Sequence, residues 1–152
     1  MTRRQTASVP TRAESAPTAR AVVQEVQAAF RRGDYARMAE LYSDDVDWLF
    51  HAPPAVFPEV GHRHGKVAVF QSLQALNAHY RFDKHVTEWL IAEGDRCASI
   101  ADVTLVQRAT GRTIRCRVAA FHRVRDGRVV EYRGFMDSLD AAEQVLGREL
   151  PL

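Results

Sequence analysis

RCASIADVTLVQRATGRTIRCRVAAFHRVRDGRVVEYRGFMD, residues 96–137, decides how this chain folds. Three stretches rich in β-branched and aromatic residues, near 96–108, 112–124 and 128–137, are separated by Thr110-Gly111 and Asp126-Gly127. The second pair sits between Val124 and Val129, and both of its residues tolerate positive φ, so it marks a two-residue hairpin. A fourth stretch near 82–92 precedes them, set off by Glu93-Gly94-Asp95, and the whole reads as an antiparallel meander. A short apolar helix over 139–146, stopped by Gly147, closes the pattern.

Working back from the meander, Val69, Phe70, Leu73, Leu76 and Tyr80 recur at spacings of three and four, which predicts an amphipathic helix over 66–80. Before it lies a loop with Phe57, Pro58, His62 and His64, entered from a β-rich strand at 46–51 that ends on Ala52-Pro53-Pro54. Proline cannot continue a sheet ladder, so the strand stops there. Val22, Val26, Ala29 and Phe30 predict a first helix ended by Gly33, and Asp34 caps a second carrying Tyr35, Met38, Leu41 and Tyr42. Residues 1–18 are rich in Ser, Thr, Ala, Pro and Arg and are expected to be a disordered leader. One domain is therefore expected over 19–148.

Of 152 residues, 46% are hydrophobic, enough for one sizeable core and not for a second domain. The net charge is +2, but residues 1–20 hold four arginines against Glu14, so the rest sums to −1. That balance lacks the basic footprint of phosphate-backbone binding, and nucleic acid is not an expected partner. The first 20 residues have no apolar run of a secretory signal, and no stretch approaches the roughly 18 apolar residues of a membrane span, so no membrane association and a cytoplasmic location are expected. Cys97 and Cys116 are read as reduced core thiols. No P-loop, GxSxG or dinucleotide fingerprint is present, so no cofactor is expected.

Three local segments carry a family resemblance. Gly33-Asp34 followed by Met38 to Val46 (MAELYSDDV), Gly61 to Val69, and Phe121 to Tyr132 with its Arg125-Asp126-Gly127-Arg128 turn resemble the nuclear transport factor 2-like superfamily, in its SnoaL-like and ketosteroid-isomerase-like branch. The likeness covers residues 20–148. It implies an α+β fold in which a cone-shaped, curved, mixed but mainly antiparallel sheet wraps around N-terminal helices, and it implies a homodimer. Function is left open by it, because this fold hosts isomerases, cyclases, dehydratases, epoxide hydrolases and proteins with no catalysis.

Carried over position by position, the base of ketosteroid isomerases falls on Phe50, their oxyanion-hole acid on Ala119 and their tyrosine near Val26, none of which moves a proton. The last-strand acid of limonene-epoxide-hydrolase relatives falls on Gly134, leaving Asp102 and Arg117 to recreate an acid–arginine pair across strands. In SnoaL-like cyclases the region of Phe135-Met136-Asp137-Ser138 resembles the one that holds the working acid, which makes Asp137 a catalytic candidate. Its alternative role is to cap the last helix.

The residues themselves add His51, a strand-end imidazole suited to proton shuttling near neutrality. Trp48 and Phe50 alternate on one strand as an aromatic wall. With Tyr42, Phe57, Phe70, Ala119, Phe121 and Tyr132 they are the expected lining of a pocket for a small apolar or aromatic ligand. His62 and His64 lack further ligands, so no metal is expected. Three readings stay open. Cofactor-free acid–base chemistry of isomerase, cyclase or dehydratase type requires Asp102, Arg117, Asp137 and His51 to converge in the cavity. A non-catalytic binding or dimerisation module requires an open apolar pocket without them, and a filled core leaves less than about 300 Å3.

Overall fold

The computed structural model describes residues 15–151. Most of the expected leader, residues 1–14, lies outside them. The elements follow in the order α1 (Ala19–Arg32), α2 (Tyr35–Leu41), β1 (Tyr42–His51), β2 (His62–His64), α3 (Lys66–His79), β3 (Tyr80–Glu93), β4 (Arg96–Gln107), β5 (Thr113–Arg125), β6 (Arg128–Phe135) and α4 (Ser138–Leu146).

Local chemistry sets these boundaries. The Thr18 hydroxyl accepts from the Ala21 N–H to start α1, and Gly33 ends it at φ 67°, a left-handed conformation that glycine adopts without strain. Asp34 caps α2 through the Arg37 N–H. Asp126 and Gly127 both have positive φ, 49° and 71°, as a two-residue hairpin between twisted strands requires.

All six strands form one sheet in the order β2-β1-β6-β5-β4-β3. Neighbours are antiparallel except β1 and β6, which run parallel with Trp48 opposite Tyr132 and Phe50 opposite Gly134. Register shifts after Phe82 and Thr87 in β3, and after Arg123 in β5, bend the strands and curl the sheet. Its concave face packs on α1, α2 and α3 around a core that includes Val23, Val46, Val69, Ile114 and Val129, all fully buried. Among the described residues, no helix is long and apolar enough to cross a membrane.

Two sequence expectations change. Residues 62–64, read as loop, form a short strand on β1, and β1 begins at Tyr42 rather than 46. The larger change concerns β5, whose inward set is Ile114, Cys116, Val118, Ala120 and His122, opposite Leu105, Val103, Ala101, Ser99 and Cys97 of β4. Arg115, Arg117, Ala119 and Phe121 therefore face outwards. Asp102 does pair in register with Arg117, but on the convex face. A strand has a period of two, so one step of phase exchanges its two faces, and the phase found here leaves two guanidiniums in water.

Candidate functional site

Between the concave face and the helices lies a cavity of about 150 Å3, below the roughly 300 Å3 set as the lower limit of an open ligand pocket and so on the filled-core side of that limit. One wall is aromatic. Trp48 stacks on Tyr132 with centroids 5.1 Å apart and planes 10° apart, and on Phe50 at 6.2 Å and 27°. Phe57 and Val60, from the loop between β1 and β2, close another side, and Met38, Leu73 and Leu76 supply helix surface. Among the described residues, no Asp, Glu, Lys or Arg lines it.

A few polar groups reach this apolar space. The Gln27 amide donates to the Ser99 hydroxyl at 3.2 Å and accepts from the Thr87 hydroxyl at 2.9 Å, which fixes it across α1, β3 and β4. His122, 6% exposed, packs edge-on to Tyr132, and its Nδ1 is buried with no hydrogen-bond partner among the described residues. Burial raises the Tyr42 and Tyr132 phenols well above the usual range and pushes the Cys116 thiol up to about 11, so all three keep their protons at neutral pH.

The same burial lowers the His122 imidazole to about 4. In the unfolded chain it takes up its proton near the ordinary value of about 6.5. Between those two values the unfolded state binds more protons, so stability falls as the pH drops through that window and levels off below it. The effect is on the order of 3 kcal/mol. His122→Phe is expected to flatten the profile of Tm against pH in that window, leaving the slope due to His85, which burial also lowers. An unchanged slope in the variant would count against a buried neutral imidazole.

Of the residues singled out from sequence, Tyr42, Trp48, Phe50, Phe57 and Tyr132 line the cavity. Phe70 lies behind the wall, edge-on to Tyr42 at 5.7 Å. Ala119 and Phe121 are on the convex face, Phe121 49% exposed. The four proposed catalytic groups do not meet in the cavity. Asp102 pairs with Lys84, and Arg117 with Glu88 at 2.8 Å. Asp137 accepts from the Asp140 N–H at 3.1 Å as the cap of α4. His51, at the exposed end of β1, stacks on Phe135 at 4.3 Å. His62 is held by Asp47 at 2.6 Å, and Arg133 holds the other oxygen of that carboxylate at 2.5 Å.

Sequence reasoning passed over His122, Gln27 and Ser99. The signal for His122 was the alternation of β4: Asp102 and Thr104 belong in water, which turns Cys97, Ser99 and Ala101 inwards and, through the hairpin, Ala120 and His122 with them.

The sequence pattern of the SnoaL-like domain matches residues 23–132, most of the sheet and all of α2 and α3. The chain belongs to the SnoaL-like domain family. Among solved structures, this SnoaL-like domain is similar to a candidate isomerase from Rhodopseudomonas palustris, with 28% identity and a TM-score of 0.74 over 83% of this chain and 93% of that one. It is also similar to a candidate polyketide cyclase from Xanthomonas campestris pv. campestris, with 25% identity and a TM-score of 0.70 over 84% and 96%. A nuclear transport factor 2-like protein from Burkholderia thailandensis shares the fold at 24% identity, with a TM-score of 0.75 over 86% and 98%. No curated protein gives a significant match.

Proposed function

We propose that this SnoaL-like domain binds a small apolar molecule of about one ring in the closed end of its cone. The carrying observation is a 150 Å3 cavity walled by stacked Trp48, Phe50 and Tyr132 and lined by two imidazoles, His85 and His122, whose Nδ1 atoms are buried without a partner among the described residues. An apolar cavity of about that size accepts a benzene-sized ligand, whereas pockets for drug-sized molecules begin at about 300 Å3. Polycyclic ligands therefore need the wall to move.

A thermal-shift series of cyclohexanone, phenol, toluene and naphthalene tests the reading. One-ring compounds at about 100 times their Kd are expected to stabilise the fold by about 2.7 kcal/mol, roughly 5–10 °C in Tm. If no one-ring compound shifts Tm or Trp48 emission, the binding reading falls.

Acid–base chemistry is the second reading, supported by the likeness to a candidate isomerase and a candidate cyclase and by the position of the His122 imidazole in the cavity wall. Solvent deuterium entering the α-position of bound cyclohexanone, and absent with His122→Phe, would carry it. Binding without exchange would leave a non-catalytic module. The convex face, where Ile91, Phe121 and Phe135 are 60%, 49% and 40% exposed, is where a second copy is proposed to dock. Sedimentation of Phe121→Asp beside the unaltered chain tests that contact: equal mass for both would remove it.

A further inference from the structure

Outside the cavity, α1 and the edge strand β3 part to form a cleft of about 580 Å3. Arg20, Gln24, Gln27 and Arg31 line it from α1, at spacings of three and four that place them on one stripe of the helix. His85, Thr87 and Trp89 line it from β3. Among the described residues, the lining holds two arginines and no carboxylate. Arg32 and Arg37 are engaged by Glu25 and Glu40, whereas Arg31 has no carboxylate partner among the described residues.

Gln27 and His85 line both the cleft and the apolar cavity, so the wall between the two spaces is one side chain thick. Gln27 is fixed by Ser99 and Thr87. His85 is not: its ring meets Phe30 edge-on at 5.3 Å, and its Nδ1 is buried without a hydrogen-bond partner among the described residues. Arg31 lies close enough for its charge to add to burial in lowering the His85 pKa. An anion beside both would reverse that effect.

We propose that the α1–β3 cleft takes the carboxylate of a ring-bearing acid whose ring occupies the apolar cavity, with the linker passing His85. The inference rests on the cavity reading above and adds a charge to the ligand. Arg31 supplies a planar pair of donors suited to a carboxylate, and His85, as the Nδ1–H tautomer, donates the hydrogen bond it otherwise lacks. Arg20 sits at the far end, eleven residues or about 16 Å along the helix, where it donates to the Leu90 carbonyl at 3.2 Å. It is too distant to hold the same carboxylate.

Calorimetry with 3-phenylpropanoate and the neutral 3-phenylpropan-1-ol tests this on the unaltered chain, Arg31→Gln and Arg20→Gln. Arg31 is exposed, so its replacement leaves the core intact. The acid is expected to bind at least about tenfold tighter than the alcohol. Arg31→Gln should abolish that preference and leave the alcohol's Kd within about twofold, while Arg20→Gln keeps it. Equal binding of both compounds to the unaltered chain, or a preference that survives Arg31→Gln, overturns the proposal and leaves the cavity reading standing. Binding of neither compound overturns the proposal, and the cavity reading falls with it if phenol and toluene also fail to shift Tm.

Discussion

Gly134→Ala is expected to cost about 1–3 kcal/mol, lowering Tm by roughly 5 °C, although it adds a single methyl group. Gly134 lies in β6 between Phe50 of β1 and Ala120 of β5. A Cβ there would meet Phe50 Cδ2 at 2.5 Å, Tyr132 Oη at 2.6 Å and Phe50 Cε2 at 2.9 Å. Neither ring has room to yield, since both stack on Trp48. The two sites should therefore be coupled: with Phe50→Ala in place, the cost of Gly134→Ala should shrink by 1 kcal/mol or more, about what contacting residues show. Denaturant unfolding of the two single variants and the double measures it. An undiminished cost in the Phe50→Ala background would show that the ring is not the obstacle. The coupling has a functional side, because Gly134 stands where the resemblance to epoxide hydrolases implies an acid. Here the Phe50 ring fills that space, so Gly134→Asp alone is not expected to install one.

Phe57→Ala is expected to have a larger effect, about 3–5 kcal/mol or roughly 10 °C in Tm. The ring is 2% exposed, packs on Tyr80 at 5.8 Å and lines the cavity from the loop between β1 and β2. That loop is held on both sides. The Phe57 N–H donates to the Pro53 carbonyl at 2.9 Å, and the Arg63 guanidinium donates to the carbonyls of Glu59 and Val60 at 3.0 and 3.3 Å. A backbone so fixed cannot collapse into the space left behind, so the cavity should grow by much of a phenyl ring. Naphthalene is then expected to stabilise Phe57→Ala more than it stabilises the unaltered chain. A loss below about 1 kcal/mol, or no gain in affinity for the two-ring compound, would mean that the loop relaxes and the ring does not limit the cavity.

The meander, the hairpin at Asp126-Gly127 and the caps at Asp34 and Asp137 were legible because each rests on a few adjacent residues with one conformational solution. The aromatic wall was legible too, since Trp48 and Phe50 sit two apart, and so on one face, in a strand flanked by Asp47 and His51. The face of β5 was not. Both of its phases present apolar residues: Ala119 and Phe121 on one, Val118 and Ala120 on the other, and only the pairing with β4 decides between them. Irregularities in β3 hid His85 in the same way, because the shifts after Phe82 and Thr87 turn Phe82, His85 and Thr87 inwards at unequal spacing. No periodic reading of one strand contains that information. The α1–β3 cleft lay further still from view, joining a helix stripe to a strand far along the chain.

The parallel pairing of β1 with β6 ties together Asp47 and Arg133, 86 positions apart. Synthesis therefore delivers the first strand of the sheet long before the strand that will lie beside it. Until Arg128–Phe135 emerges, Trp48 has no Tyr132 to stack on, and one long edge of β1 has only water or a stray chain to bond. Loop closure over that span comes before its contacts reward it, which makes completion of the aromatic wall a late step in folding. The same rings that shape the cavity are thus the surface most open to misassociation while the chain is still unfinished.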